Sequence, residues 1–174
     1  MIAVASVGCG SSSSSSNTVS AAKYVKSVCR ATATWFRTIE SVGTKLKSAV
    51  KPQGSLSQTK AAYTSFVVGI LHATQRAGRQ LKAAGTPAVK NGEHVANSLV
   101  RAFANASHGL STAAADANRI PTTSKSTFQS AGSRVQGEVQ QAIASISTIA
   151  PQKNAQLRAA ALKDPTCQQL KAVG

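Results

Sequence analysis

Apolar residues return at alternating steps of three and four along most of this chain, and that spacing admits one kind of architecture, long helices packed by a single face. In residues 18–51 the stripe runs Val25, Val28, Thr32, Trp35, Ile39, Val42, Leu46 and Ala49. In residues 55–84 it runs Tyr63, Phe66, Ile70, Ala73 and Ala77, with Val67, Leu71 and Leu81 beside it. Residues 87–120 hold it longest, from Val89 and Gly92 through Ala96, Leu99, Phe103, Ala106, Leu110, Ala113 and Ala117 to Ile120. Residues 123–149 carry Phe128, Ala131, Val135, Val139, Ala142, Ile146 and Ile149. No strand-like alternation competes. Hydrophobic residues make up 42% of the chain but aromatic ones only 4%, and alanine supplies much of the difference, which favours close helix packing over a sheet.

The breaks between stripes are chemically defined. Pro52 and Gly54 end the first helix, and Ser55 with Gln58 has the spacing of a capping box for the second. Gly85 suits the left-handed turn after the second helix, with Thr86 as cap and Pro87 in the first turn of the third. Pro121 closes the third, and the threonines and Ser124 are candidate caps for the fourth. Short connections make successive helices antiparallel neighbours, so the expected fold is all-α, an up-down-up-down four-helix bundle. At 1.5 Å per residue each helix spans roughly 40–50 Å. Beyond Pro151 a short fifth helix over residues 154–163, stopped by Asp164-Pro165, is expected at the end of the bundle where the first helix begins.

At the N-terminus, Ser6-Val7-Gly8 precedes Cys9, and Gly10 with six serines follows it. This junction resembles the lipobox of bacterial exported lipoproteins, in which the cysteine is acylated and becomes the new N-terminus. The resemblance covers residues 1 to about 17. It implies that residues 1–8 are the remnant of a signal segment, residues 9–17 an acylated Cys9 with a flexible serine tether, and residues 18–174 the bundle. Met1 to Val7 contains no Lys or Arg and only a short apolar stretch, so a start upstream of Met1 is expected. The tether would reach roughly 15 Å root-mean-square. The implied location is the outer face of the cytoplasmic membrane or the cell envelope.

Three cysteines leave one over after pairing, and acylation of Cys9 accounts for it. Cys29 and Cys167 then remain to form a disulfide, as suits an oxidising compartment. The alternative for Cys29 is a buried free thiol on a helix. No apolar run approaches the roughly 18 residues that cross a bilayer, so a lipid would be the attachment.

Charge is the second constraint on function. Twenty Lys and Arg against five Asp and Glu give a formal +15. Such a field draws anionic partners. In the first helix Lys23, Arg30, Arg37 and Lys51 recur at one outer heptad position with Lys26 close by, and Glu40 is the only acid there. Smaller groups lie at Lys45, Lys47 and Lys51 and at Arg76, Arg79 and Lys82, where a solvated face near a helix C-terminus is explanation enough. The expected partner of the stripe is an anionic membrane surface, an envelope polymer or an acidic protein. Nucleic acid is disfavoured, because the chain has no zinc-finger spacing, RNA-binding aromatic motif or helix-turn-helix and few aromatics on which bases would stack.

Catalytic and metal signatures are weaker still. Glu40, Glu93, Asp116, Glu138 and Asp164 are scattered singly, without a local pair for shared acid-base work. Glu93-His94 lacks the second histidine of a metalloprotease helix. His94 and His108 take the outermost position of the third helix and His72 lies off its seam, so neither metal nor haem is expected. A non-catalytic binding protein is the leading expectation. The alternative is a carrier of lipid or another apolar ligand, should Trp35, Phe36, Tyr63, Phe66, Phe103 and Phe128 leave a cavity between helices instead of filling the core.

Overall fold

Four long helices form where the stripes place them. The computed structural model describes residues 17–147 and 154–171. Helix α1 spans Ala21–Ala49, α2 Leu56–Ala83, α3 Gly92–Asn118 and α4 Lys125–Ser147. A short tail follows, α5 at Ala155–Lys163 and α6 at Pro165–Lys171. Successive long helices pack on one another, α1 on α2, α2 on α3 and α3 on α4, while α5 and α6 both lie against α1. This is the expected all-α bundle.

Local chemistry sets the ends. Ser20 Oγ accepts the Lys23 N–H at 3.3 Å to start α1. The capping box at α2 is complete, with Ser55 Oγ accepting from the Gln58 N–H at 3.2 Å and Gln58 Oε1 accepting from the Ser55 N–H at 3.0 Å. Gly85 follows α2 with φ +81°, a left-handed conformation that a side chain resists. Ser124 Oγ accepts the Thr127 N–H at the head of α4.

Two expectations need correction. Helix α3 starts at Gly92, five residues later than the stripe implied, because the backbone of residues 86–88 is engaged elsewhere. Thr86 and Pro87 form a two-residue strand, β2, that pairs in parallel with β1 at Thr18–Val19. The Thr86 N–H donates to the Asn17 carbonyl at 2.9 Å and the Ala88 N–H to Val19 at 2.8 Å, so Thr86 is not a helix cap and Pro87 is not in the first turn. Asn91, at φ +59°, precedes α3 instead. The tail also differs, since Asp164-Pro165 ends one helix and opens another. Asp164 Oδ1 accepts from the Thr166 and Cys167 N–H groups, and Pro165 takes the first helical position, where its missing N–H costs nothing.

The core follows the alanine-rich face of α3. Ala106, Leu110, Ala113 and Ala117 are wholly buried between α2 and α4, together with Val67 and Val135. Trp35 of α1 reaches Phe103 of α3 edge-on, with ring centroids 5.6 Å apart. Its indole N–H donates to Thr74 Oγ1 of α2 at 3.0 Å, and Thr74 in turn donates to the Ile70 carbonyl at 2.9 Å. Trp35–Thr74 also sets the antiparallel register of α1 on α2, which continues at Val42 against Gly69. A β-carbon on Gly69 would lie 2.8 Å from Val42 Cγ1, so glycine is what lets these helices close. At the other end of α1, Tyr24, Val25, Leu157 and Cys167 form a second cluster that seats the tail.

Thr74→Val removes the buried acceptor and strands the indole N–H, so urea denaturation is expected to show a loss of about 1–3 kcal/mol. Trp35→Phe combined with Thr74→Val should lose less than the two single changes summed. A pH effect is expected at Tyr24, whose phenol burial pushes from 10.0 up to about 12. The folded chain holds the neutral form, so this contribution is complete below pH 10 and is lost as pH rises toward about 12. Stability should fall across that window more steeply in the parent chain than in Tyr24→Phe, as read by urea midpoints.

Candidate functional site

The cationic face is built by the same register that buries Trp35. With Val25, Thr32 and Ile39 and the residues three beyond each turned inward, α2 covers one flank of α1 and the tail helices lie against its N-terminal half. What remains outward is the position of Lys23, Arg30 and Arg37, and all three are exposed, as is Lys26; Lys51, expected in the same row, is exposed but lies past the end of α1, beyond the extended Val50. Among the described residues, no carboxylate lies within ion-pair distance of any of the five. The ion pair that does form, Arg119–Asp116 at 3.3 Å, is on α3 and its C-terminal turn.

The acids are absorbed or isolated. Asp164 caps α6 and Asp116 holds Arg119. Glu138 of α4 sits beside Tyr63 of α2, with one carboxylate oxygen buried and without a hydrogen-bond partner. Burial first, and then the Glu138 charge, raises the Tyr63 phenol above its ordinary value. Glu40 and Glu93 are exposed on α1 and α3. The histidines His72, His94 and His108 are all at the surface, as their heptad positions imply. No group of three His, Cys, Asp or Glu is arranged to hold a metal among the described residues.

Cys29 and Cys167 are joined, with an S–S distance of 2.01 Å and α-carbons 5.2 Å apart. The bond ties α6 to α1 one residue before Arg30. It closes a span of 138 residues. Cys9 lies outside the described residues. No described helix is long and apolar enough to cross a membrane.

Two shallow grooves run between α1 and α2. One, of about 300 Å³, lies on the cationic side and is lined by Ser27, Arg30 and Thr34 of α1 and by Gln80 and Ala83 of α2. The other, of about 400 Å³, lies nearer the far end of α1 and is mostly apolar, with Val42, Leu46 and Phe66 in its walls and Lys45 and Gln58 at its edge. The aromatics otherwise fill the interior. Trp35 and Phe103 are buried, and Tyr63 stacks on Phe66 with centroids 6.2 Å apart. Phe36 departs from its expected core role and is 48% exposed, leaning edge-on against Trp35 from outside.

Sequence reasoning placed Arg76, Arg79 and Lys82 in a group separate from the α1 stripe. The antiparallel packing brings Gln80 into the same groove as Arg30, and Arg76 lies one turn from Gln80 on the same stripe of α2. The readable signal was the lone tryptophan, whose indole N–H needs an acceptor when buried, and Thr74 on the facing stripe supplies it. Comparisons with protein-family models, with curated proteins and with solved structures return no match.

Replacing both bridge cysteines (Cys29→Ser with Cys167→Ser) is expected to cost about 2–5 kcal/mol in denaturant titration, and reduction of the parent chain should reproduce that loss.

Proposed function

We infer that the protein works without catalysis, as a binding module held at the bacterial envelope surface by a lipid on Cys9, and that the outward face of α1 meets an anionic partner. The observation that carries this reading is the row of exposed, uncompensated cations at Lys23, Lys26, Arg30, Arg37 and Lys51. A solvated helix face ordinarily mixes both signs, whereas α1 offers seven Lys and Arg if its last-turn neighbour Lys51 is included, against Glu40 alone. Net charge of +15 adds a long-range field of the same sign. The Cys9 junction supplies the location, and anionic headgroups or envelope polymers are what such a location offers.

The test is co-sedimentation of the full chain with phosphatidylglycerol vesicles and with acidic envelope polymer across a salt series. Binding is expected to weaken steeply as salt rises. Neutralising Lys23, Lys26, Arg30 and Arg37 to glutamine should weaken it further, by about 1 kcal/mol for each residue near the surface. Binding that ignores salt and survives these changes would sink the reading. It would favour instead a carrier that holds an apolar ligand in the groove beside Phe66, to be sought by lipid extraction and mass spectrometry. An unacylated Cys9 in protein isolated from its native host would remove the anchoring part.

A further inference from the structure

We propose that α1 and α2 together form a ladder for one kind of polyanion, a linear acidic polysaccharide with one anionic group per disaccharide. This rests on the reading of α1 as an anion-binding face and narrows its partner to a single chemistry. Along α1 a hydroxyl stands three residues before a cation, and the unit repeats every seven residues: Ser20 and Lys23, Ser27 and Arg30, Thr34 and Arg37. The next repeat, Ser41 and Thr44, keeps the hydroxyl without the charge, and Lys51 lies past the end of the helix. Residues three apart are neighbours on a helix surface, so Ser27 with Arg30 and Thr34 with Arg37 each set a hydroxyl oxygen beside a cation. Ser20 Oγ is taken up in capping α1, and Ser27 Oγ, which donates to the Lys23 carbonyl, keeps its acceptor capacity. Seven residues of helix advance about 10 Å, comparable to the length of a disaccharide.

The second wall comes from α2. Arg30 and Gln80 face each other across the groove of about 300 Å³, and the Trp35–Thr74 register puts Arg76 at about the level of Thr34. Arg30 lines the groove, whose floor of small residues, among them Ala31 and Ala84, leaves room for a sugar ring, and Arg76 stands one turn along α2 from Gln80, beyond the groove's end. Guanidinium groups hold carboxylates or sulfates through paired hydrogen bonds, and Ser27, Thr34 and Gln80 are suited to ring hydroxyls. A lipid surface fits this face less well. The large exposed apolar side chains, Phe36, Val50 and Leu162, are not in the groove, and membrane-lying helices carry such residues on the face that inserts. Nucleic acid also fits less well, because the groove has no aromatic side chain on which bases would stack.

The experiment measures binding of the full chain to hyaluronate, to phosphatidylglycerol vesicles and to single-stranded oligothymidylate at one low salt concentration. Ala83→Trp fills the groove without changing charge, and Arg76→Gln removes the cation supplied by α2. Each should weaken hyaluronate binding by about fivefold or more, while Ala83→Trp leaves vesicle binding within about twofold. Arg101→Gln with Arg134→Gln, on α3 and α4, should change hyaluronate binding by no more than about twofold. Circular dichroism melts check that each variant is folded, and Ala83 in the groove and Arg76 beyond its end are both exposed, so the two changes test the site independently. If neither groove change weakens hyaluronate binding while Lys23→Gln with Arg30→Gln and Arg37→Gln does, the groove is wrong and the α1 face stands. If none of these changes weakens any binding, that earlier reading fails as well. Tighter binding to vesicles or to the oligonucleotide than to hyaluronate would overturn the choice of partner.

Discussion

The alanine face of α3 is the constraint on which the rest of the molecule depends. Ala106, Ala113 and Ala117 have no exposed surface, and their small side chains let α2 and α4 approach α3 closely enough that Leu110, Val67 and Val135 are wholly enclosed. Alanine loses no rotamer freedom on burial and is the strongest helix former, so the same residue that shortens the packing distance also favours the helix that does the packing. The cost is area. Alanine buries little apolar surface, and a core built on it needs long helices in compensation. That is why four helices of 23 to 29 residues appear where shorter helices with larger side chains would serve.

Long helices with a narrow apolar seam leave broad polar surfaces, and this protein fills them unevenly. Serine, threonine and glutamine occupy much of the outer surface, and the charged positions are overwhelmingly cationic. Repulsion among such charges works against compactness, so the fold has to hold them apart or hold them rigidly. Spacing along α1 keeps Lys23, Arg30 and Arg37 two turns apart from one another in succession. The Trp35–Thr74 hydrogen bond then locks that helix in rotation as well as in register, since turning α1 would withdraw the indole N–H from its acceptor.

Much of the fold was legible because helical periodicity is local. The stripes of α2, α3 and α4 correspond closely to the buried residues, and the capping box at Ser55–Gln58 is present as spaced. The start of α3 was not legible, because β2 at Thr86–Pro87 owes its conformation to Asn17 and Val19, which are distant in sequence and share no pattern with it. Pro87 fits a helix start as well as a strand, and a long-range pairing decided between them. Phe36 misled for a different reason. It is one residue from Trp35, and hydrophobic identity alone does not say which of two adjacent aromatics faces inward; the three-and-four stripe does, and it runs through Trp35. The tail was half legible, since Asp164-Pro165 marks the end of one helix but equally well caps the next. At the candidate site, the α1 stripe was visible as a seven-residue repeat, whereas the contribution of α2 depends on helix register and had no local signature.

The disulfide gives that face its fixed end. Cys29 and Arg30 are consecutive, so the bond that pins α6 to α1 immobilises the backbone beside the central cation of the row. Leu157, 1% exposed, and the apolar residues Tyr24 and Val25 seat the tail beneath it, and Asn154 donates to the Lys90 carbonyl to hold the start of α5 against the turn before α3. Helix α1 is therefore gripped near its beginning by the tail and along its length by α2, with its outward face left open. A helix end held only by its own hydrogen bonds would fray, and cations on a fraying end lose mutual alignment. Closing that end covalently keeps Lys23, Lys26 and Arg30 in one line with Arg37, which is the condition for several of them to engage one extended anion together. Binding by aligned charges, as proposed for this face, would pay its ordering entropy once, during folding, and leave less to be lost on association.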